Sequence, residues 1–167
     1  MNESEFWNII DKSKKAANEL EDQYKQLKEI LKKYEPEDII SFDLIWHKKH
    51  IELYRWDLWA IAYIINGGCG DDSFIDFRSW IISRGKEFYN NASDHPKYIG
   101  ENVKLDEESF FEEIAYAADE AYEEKTGEEM SVLLDRYPKE PDDPYGEYWD
   151  EDDLENLYPE LCKKFKW

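Results

Sequence analysis

Apolar residues recur at helical spacing along most of the chain. One stripe advances by four, three, four and three residues through Leu20, Tyr24, Leu27, Leu31 and Tyr34. This spacing places the stripe on one face of an amphipathic helix that packs on a core. The apolar cluster between Phe6 and Ile10 predicts a shorter helix that enters the same core.

Proline and glycine divide the middle of the chain into further helices. Pro36 ends the helix that carries the stripe of residues 20–34. It can also occupy the first position of the next helix, since its fixed φ suits a helix start. Residues 56–65 are apolar on nearly every face, which predicts the helix at the centre of a bundle. Asn66, Gly67 and Gly68 end that helix, because these residues tolerate left-handed backbone.

The chain after residue 70 predicts four more helical segments. An N-cap cluster at residues 71–73 opens the first of them. Asp106 is placed to cap a long second helix that ends at Gly127. A short helical piece covers residues 130–137, and a final helix starts near Asp150.

No segment sustains the alternation of apolar and polar residues that is typical of strands. The chain has 167 residues, about the length of one domain, and neither a repeat nor a linker divides it. We therefore predict an all-α, single-domain helical bundle of about six to eight helices over residues 1–167. Its long loop covers residues 138–149, which begin with three prolines in nine residues.

The charge is strongly negative and unevenly placed. The chain carries 41 Asp and Glu against 21 Lys and Arg, a net charge of −20. Residues 1–100 hold 14 basic and 18 acidic side chains, whereas residues 101–160 hold 4 and 23. Such a surface repels phosphates, so we expect no direct nucleic-acid binding and no attraction to anionic membranes. A basic protein partner is favoured instead.

Neither a leader peptide nor a membrane span is expected. The acidic start of the chain lacks the basic and apolar regions of a signal peptide, and the longest apolar run, residues 58–65, is far shorter than a bilayer requires. Cys69 and Cys162 fit reduced thiols better than a disulfide framework, and two thiols do not make a zinc site. We predict a cytoplasmic protein without a cofactor.

The densest group of chemically distinctive residues lies near the centre of the chain. Arg78 stands two residues before Trp80 on an otherwise apolar helix, so we expect a buried guanidinium paired with Asp57, Asp71 or Asp72. Such a network either fixes helix packing or lines a functional pocket, and both interpretations stay open. The candidate pocket comprises Trp56, Asp57, Gly67, Gly68, Asp71, Asp72, Arg78 and Trp80.

Several motifs together resemble one bacterial family. They are the pair Phe6 and Trp7, the segment WDLWA at residues 56–60, the segment GGCGDDSFIDFRSWIISRG at residues 67–85, and YPEL at residues 158–161. This combination is similar to domain-of-unknown-function family 4240 and spans most of the chain. Gly70 stands where that family usually has serine, so no hydroxyl-dependent role is expected there. The resemblance implies a helical fold centred on the motif, supplies no reaction, and hints at toxin–immunity neighbourhoods.

Other patterns are weaker. The glycines of the motif lack the lysine and the serine or threonine of a phosphate-binding loop. Residues 141–152 align with a calcium loop, except that proline and tyrosine occupy ligand positions one and five. Asp43, His47 and His50 share a helix face, but no partner motif on another helix completes a metal site. We therefore expect no metal, and we expect Cys69 to be packed at a helix junction rather than to act as a nucleophile.

The leading functional hypothesis is a non-enzymatic protein that binds a basic partner through an acidic face, as an immunity-type neutraliser of a toxin would. Its candidate contacts are Asp142, Asp143, Tyr145, Tyr148, Trp149, Asp150, Glu151, Asp152 and Asp153. Two alternatives remain: a small-ligand or enzymatic domain centred on the candidate pocket, and a nucleic-acid mimic. The sequence leaves the oligomeric state open.

Overall fold

The computed structural model describes residues 1–130 and 136–167, and helices dominate both ranges. The ten α-helices in these ranges are α1 (Glu3–Lys15), α2 (Leu20–Leu31), α3 (Pro36–Glu52), α4 (Trp56–Asn66), α5 (Asp71–Ser83), α6 (Lys86–Asp94), α7 (Lys97–Asn102), α8 (Ala117–Thr126), α9 (Leu154–Leu157) and α10 (Pro159–Phe165). Short 3₁₀ helices cover Glu113–Tyr116 and Glu151–Asp153. The described ranges contain no β-strand, so the prediction of an all-α chain is confirmed.

Local sequence signals set several helix ends. Asn2 caps α1 by accepting a hydrogen bond from the backbone N–H of Glu5 at 2.9 Å. Pro36 occupies the first turn of α3, as predicted. Gly67 and Gly127 end α4 and α8 in left-handed conformations, with φ of 66° and 74°, which confirms both predicted helix ends.

Three predicted elements differ from the structure. No side chain caps α5, because Gly70 is its N-cap residue and residues 71–73 already belong to its first turns. The long helix expected after Asp106 is shorter, since α8 begins at Ala117 after a 3₁₀ turn. Pro159 divides the expected final helix into α9 and α10, as the residue before a proline avoids helical backbone.

Three further expectations from the sequence concern a short helix, the number of helices and the number of domains. The short helix predicted for residues 130–137 lies mostly outside the described residues. The ten α-helices of the described ranges exceed the expected six to eight, partly because Pro159 divides the expected final helix in two. That the chain forms a single domain stays a prediction.

The core centres on α5. Every residue from Phe77 to Ser83 is buried, and α5 packs against α1, α3, α4, α6 and the first 3₁₀ helix. Helix α4, predicted as the central helix, has no exposed residue and contacts α5, α7 and α10. A row of aromatic rings joins the two helices, with successive centroids 4.7 to 6.4 Å apart, through Trp56, Trp59, Phe74, Phe77, Trp80 and Phe88.

The fold predicts opposite effects for two glycine substitutions. Gly85 links α5 to α6 at φ 94° and ψ 173°, and a Cβ there would lie 2.2 Å from Oδ1 of Asp11. Gly85→Ala should therefore lower the free energy of unfolding by about 2 kcal/mol or more. Gly70→Ser should raise it by about 0.5–1 kcal/mol, because Gly70 has extended N-cap backbone and open space around its Cα.

Urea denaturation of both variants and of the wild type measures these changes. A destabilised Gly70→Ser variant, or a Gly85→Ala variant as stable as the wild type, would contradict the backbone geometry described for the two ends of α5.

Candidate functional site

Arg78 is the most deeply buried charged side chain of the central motif, with 1% of its surface exposed. Its guanidinium lies over the rings of Tyr54 and Phe74, 4.7 and 5.1 Å from their centroids. Nη1 donates hydrogen bonds to the carbonyl oxygen of His50 at 3.2 Å and to Oε2 of Glu140 at 2.5 Å. Arg78 therefore joins α5 to the end of α3 and to the segment that contains Glu140.

The carboxylate that pairs with Arg78 differs from the three that were predicted. Asp57 instead forms an ion pair with Arg55 at 2.5 Å, two residues away. Asp71 and Asp72 are exposed in the first turn of α5, which makes no side-chain cap. The sequence missed Glu140 because it lies 62 residues from Arg78, in a loop with no helical periodicity to place it.

The remaining residues of the predicted pocket have backbone and packing roles. Trp80 is fully buried in the core and Trp56 is partly buried in the aromatic row. Gly67 and Gly68 both have positive φ, 66° and 127°, and nothing lies within 4 Å of where a Cβ would be. Their role is therefore in the backbone of the turn after α4, where a side chain would be strained at positive φ.

The surroundings of Arg78 leave little room for an external anion. Its side chain is 2% exposed, and two aromatic rings and the Glu140 carboxylate cover the guanidinium. Burial lowers the pKa of Arg78, although the Glu140 hydrogen bond opposes that change. Its Nε makes no hydrogen bond to any described residue. The arrangement is that of a buried cation that fixes a loop to the core.

Two other candidate groups, the Cys69 thiol and the His50 imidazole, have pKa values far from neutral pH. Burial, with the nearby charges of Asp76 and Asp71, raises the pKa of the Cys69 thiol to about 12, so the thiol stays protonated at neutral pH. Burial and the Arg78 charge lower the pKa of His50 to about 3. The neutral His50 ring places Nε2 3.0 Å from the carbonyl oxygen of Ile75.

The acidic segment, residues 138–153, is attached to the helices by its backbone. The N–H of Tyr145 donates to the carbonyl of Tyr54, and the N–H of Trp56 donates to the carbonyl of Tyr145, both at 2.9 Å. Pro144 is buried beside this pairing. The indole Nε1 of Trp149 donates to the carbonyl of Trp56 at 2.6 Å. These contacts hold the acidic segment against the start of α4.

Most predicted contact residues of the acidic segment lie at the surface. Tyr145 and Tyr148 are 55% and 65% exposed. The exposed carboxylates include Asp142, Asp143, Asp150, Glu151, Asp152 and Asp153. Trp149, by contrast, packs inward against Tyr63 at 5.3 Å and against Trp56, so it supports the segment from within.

Some carboxylates of the C-terminal third are neutralised by ion pairs with lysines. On α8, Glu120 and Glu124 form ion pairs with Lys28 of α2 at 3.0 and 3.1 Å, and Lys32 also pairs with Glu124 at 2.7 Å. Within residues 1–130 and 136–167, no Lys or Arg forms an ion pair with a carboxylate of residues 142–153. The carboxylates of residues 142–153 therefore differ from Glu120 and Glu124, whose charge is compensated by lysines.

A cavity of about 440 Å³ lies between α3 and α8. It is lined by Asp43, His47, Asp119, Glu123, Glu129, Met130 and Tyr137. The Tyr137 hydroxyl donates to Oδ2 of Asp43 at 2.5 Å, and Nε2 of His47 lies 3.4 Å from the same oxygen. The spacing of Asp43 and His47 indicated their shared helix face, whereas no sequence signal pointed to Tyr137.

The structure separates the weak metal-binding pattern of α3. His50 hydrogen-bonds to α5, while Asp43 and His47 face the cavity near α8. Among the described residues, no three His, Cys, Asp or Glu side chains are arranged to hold a metal ion. The same part of the chain contains no helix of the length and apolar character that crossing a membrane demands.

The partly buried His50 predicts a specific pH dependence of stability. Its pKa is lower in the folded chain than the usual 6.5, so the unfolded chain binds the proton first as the pH falls. The stability it contributes is complete above pH 6.5 and is lost as the pH falls towards 3. Urea denaturation between pH 6.5 and 4.5 should show a steeper loss for wild type than for His50→Gln, by up to about 1.4 kcal/mol per pH unit. Equal slopes would contradict a lowered pKa of His50 in the folded chain.

The pair of Arg78 and Glu140 predicts that the acidic segment loosens when either partner is changed. Glu140→Gln should lower the free energy of unfolding by about 1–2 kcal/mol, less than a fully buried pair because Glu140 is 39% exposed. Asp142→Asn, in the same segment but with an exposed side chain, should change it by less than about 0.5 kcal/mol.

Denaturation together with limited proteolysis of residues 138–149 measures both effects. Faster cleavage is expected in Glu140→Gln alone, and equal cleavage rates in the two variants would show that Glu140 does not fix the segment.

Comparisons with known proteins agree with the motifs of the helical core. A search among curated proteins found no match to this chain, and neither did a search among solved structures. The profile of a family described as a protein of unknown function (DUF4240) matches residues 1–124. That range includes Arg78 and helices α1 to α7, whereas Glu140 and the acidic segment lie beyond it. The chain belongs to the DUF4240 family.

Proposed function

We propose that this chain is a non-enzymatic binding protein whose acidic segment engages a basic protein partner. The observation that carries the proposal is the contrast between two acidic regions. The carboxylates Glu120 and Glu124 of α8 pair with Lys28 and Lys32, while those of residues 142–153 have no Lys or Arg partner among the described residues. Unpaired surface carboxylates raise the local negative potential, which accelerates association with a positive surface.

The acidic segment also has features of a preformed contact surface. Tyr145 and Tyr148 are exposed beside the carboxylates, and tyrosine is a frequent source of interface energy. The ring of Tyr148 contacts the ring of Trp56 edge-on, with their centroids 4.8 Å apart, so this contact helps to hold the Tyr148 ring in place. A segment that is already ordered loses less entropy on binding than a free tail.

A shallow depression of about 640 Å³ extends this surface. Its lining includes three carboxylates, one ammonium group and two aromatic rings, from Glu151, Asp152, Glu155, Lys166, Phe165 and Trp167, so negative charge is in excess. Carboxylates beside aromatic rings suit Lys and Arg side chains, which pair with the charges and stack on the rings. An immunity-type protein that covers the phosphate-binding lysines and arginines of a nuclease-like toxin would act through such a surface.

Capture of a partner from the native host tests this proposal. The tagged full chain serves as bait at low salt, and the dissociation constant of a captured basic protein is then measured over a salt series. Binding should weaken about tenfold between about 50 and 200 mM salt. The variant D142N/D143N/D152N should weaken it by about tenfold as well.

The control variant D71N/D72N/D94N removes the same number of exposed aspartates from outside the acidic segment. It should keep the wild-type affinity within about twofold if the position of the charges matters. Salt-independent binding, or equal losses in the two triple variants, would overturn the proposal.

A further inference from the structure

Two buried N–H groups at the end of α5 have no hydrogen-bond acceptor among residues 1–130 and 136–167. They are the indole Nε1–H of Trp80 and the Nε–H of Arg84. Trp80 is fully buried, and a donor left unpaired in such surroundings costs free energy that an acceptor would restore. The two residues are four positions apart, so their side chains lie on the same face of the last turn of α5.

Both side chains line one cavity beside the turn between α1 and α2. Its volume of about 370 Å³ exceeds the roughly 30 Å³ of one water molecule and falls within the range of small-molecule pockets. Ala17 and Leu20 provide apolar wall, and Gln23 provides a buried amide whose Nε2 donates to the carbonyl oxygen of Ser83 at 2.8 Å. The cavity therefore combines unpaired donors with apolar contacts.

The charges around this cavity disfavour an anionic ligand. Two cations line it, those of Lys14 and Arg84. Three carboxylates line it as well, those of Glu19, Glu107 and Glu108. The Arg84 guanidinium is already paired with Glu107, with Nη1 2.9 Å from Oε1, and Lys14 donates to the carbonyl oxygen of Arg84 at 2.8 Å. An acceptor without charge therefore fits better than a carboxylate or a phosphate.

We propose that this cavity binds a neutral amide through its carbonyl oxygen. That oxygen has two lone pairs and would accept hydrogen bonds from Nε1 of Trp80 and Nε of Arg84. Oε1 of Gln23 would accept the N–H of the same amide, and Ala17 and Leu20 would contact its apolar substituent. The proposal is independent of the function assigned to the acidic segment.

Access to the two N–H groups requires long side chains to move. The Arg84 guanidinium lies over the rings of Trp80 and Phe88, 5.4 and 5.0 Å from their centroids, and the Arg84 side chain is 31% exposed. Lys14 is exposed as well. Rotation of these two side chains towards solvent would let a ligand oxygen approach Trp80, and such rotamer changes are common on binding.

Three probes test the class and the source of the ligand. Isobutyramide is a small neutral amide, isobutyrate has the same shape with a negative charge, and acetylglycine methylamide represents a peptide backbone. Each is titrated into the ¹⁵N-labelled full chain, and NMR follows the indole N–H signal of Trp80 and the Nε–H signal of Arg84. We expect both signals to shift saturably with at least one amide, and isobutyrate to bind at least about tenfold more weakly.

The two amides distinguish the sources of the ligand. Tighter binding of isobutyramide assigns a free small molecule. Tighter binding of acetylglycine methylamide assigns a peptide segment.

Three variants, followed at the backbone amide of Gln23, decide whether the two N–H groups bind the probe. Trp80→Phe removes the indole N–H and should weaken amide binding at least about fivefold. Because Trp80 is buried, the partly exposed Arg84→Lys provides a second variant, which keeps the charge, removes Nε and should weaken binding severalfold. Trp7→Phe is the control and should leave binding unchanged, since Trp7 is also buried but its Nε1 already donates to Glu3 at 3.4 Å.

The absence of saturable shifts with both amides would overturn the proposal, and so would binding of isobutyrate as tight as that of isobutyramide. Equal affinities in all three variants would overturn it too, because they would show that the probe binds elsewhere on the chain.

Discussion

The buried guanidinium of Arg78 is the constraint on which the rest of the structure depends. A charge inside an aromatic core is tolerated only when carboxylate and carbonyl oxygens replace its water. The chain supplies the carbonyl from His50 at the end of α3 and the carboxylate from Glu140. The hydrogen bond between Arg78 of α5 and Glu140 thus brings a loop that is distant in sequence to the centre of the motif.

This constraint connects two parts of the chain with different characters. Residues 1–124, the range matched by the family profile, contain the aromatic row, and the first hundred of them hold 14 basic and 18 acidic side chains. The acidic segment lies beyond that range and rests on it through Arg78, the backbone of Tyr145 and the indole of Trp149. Its inward side is apolar and hydrogen-bonded, so its carboxylates and two tyrosines are left to face solvent. We infer that the family fold acts as a rigid support for this charged surface.

Sequence reasoning predicted the features that depend on neighbouring residues. Pro36 and Gly67 mark helix ends because their backbone preferences act locally, and the burial of Arg78 follows from its apolar helix. The partner of Arg78 could not be predicted in this way, since three nearby aspartates competed with a glutamate in an irregular loop. The inward packing of Trp149 was not predicted either. The sequence around an aromatic residue among acids does not distinguish a buried ring from one that contacts a partner at the surface.

The cavity between α3 and α8 shows the same limit. Asp43 and His47 are one helical turn apart, so their proximity is readable from the sequence, but Tyr137 reaches them from 94 residues away. Whether a pair of polar residues becomes a site depends on which distant side chain closes over it. Long-range pairings of this kind require the folded chain.

Amide hydrogen exchange of the full chain measures how firmly the acidic segment is held on the helices. Tyr145 and Trp56 donate the two backbone hydrogen bonds that fasten the acidic segment to the helices. If the segment is held rigidly on the family fold, both N–H groups exchange at least about a hundredfold more slowly than in an unstructured peptide. Exchange of the Tyr145 N–H at the unstructured rate, with α5 still protected, would contradict the account.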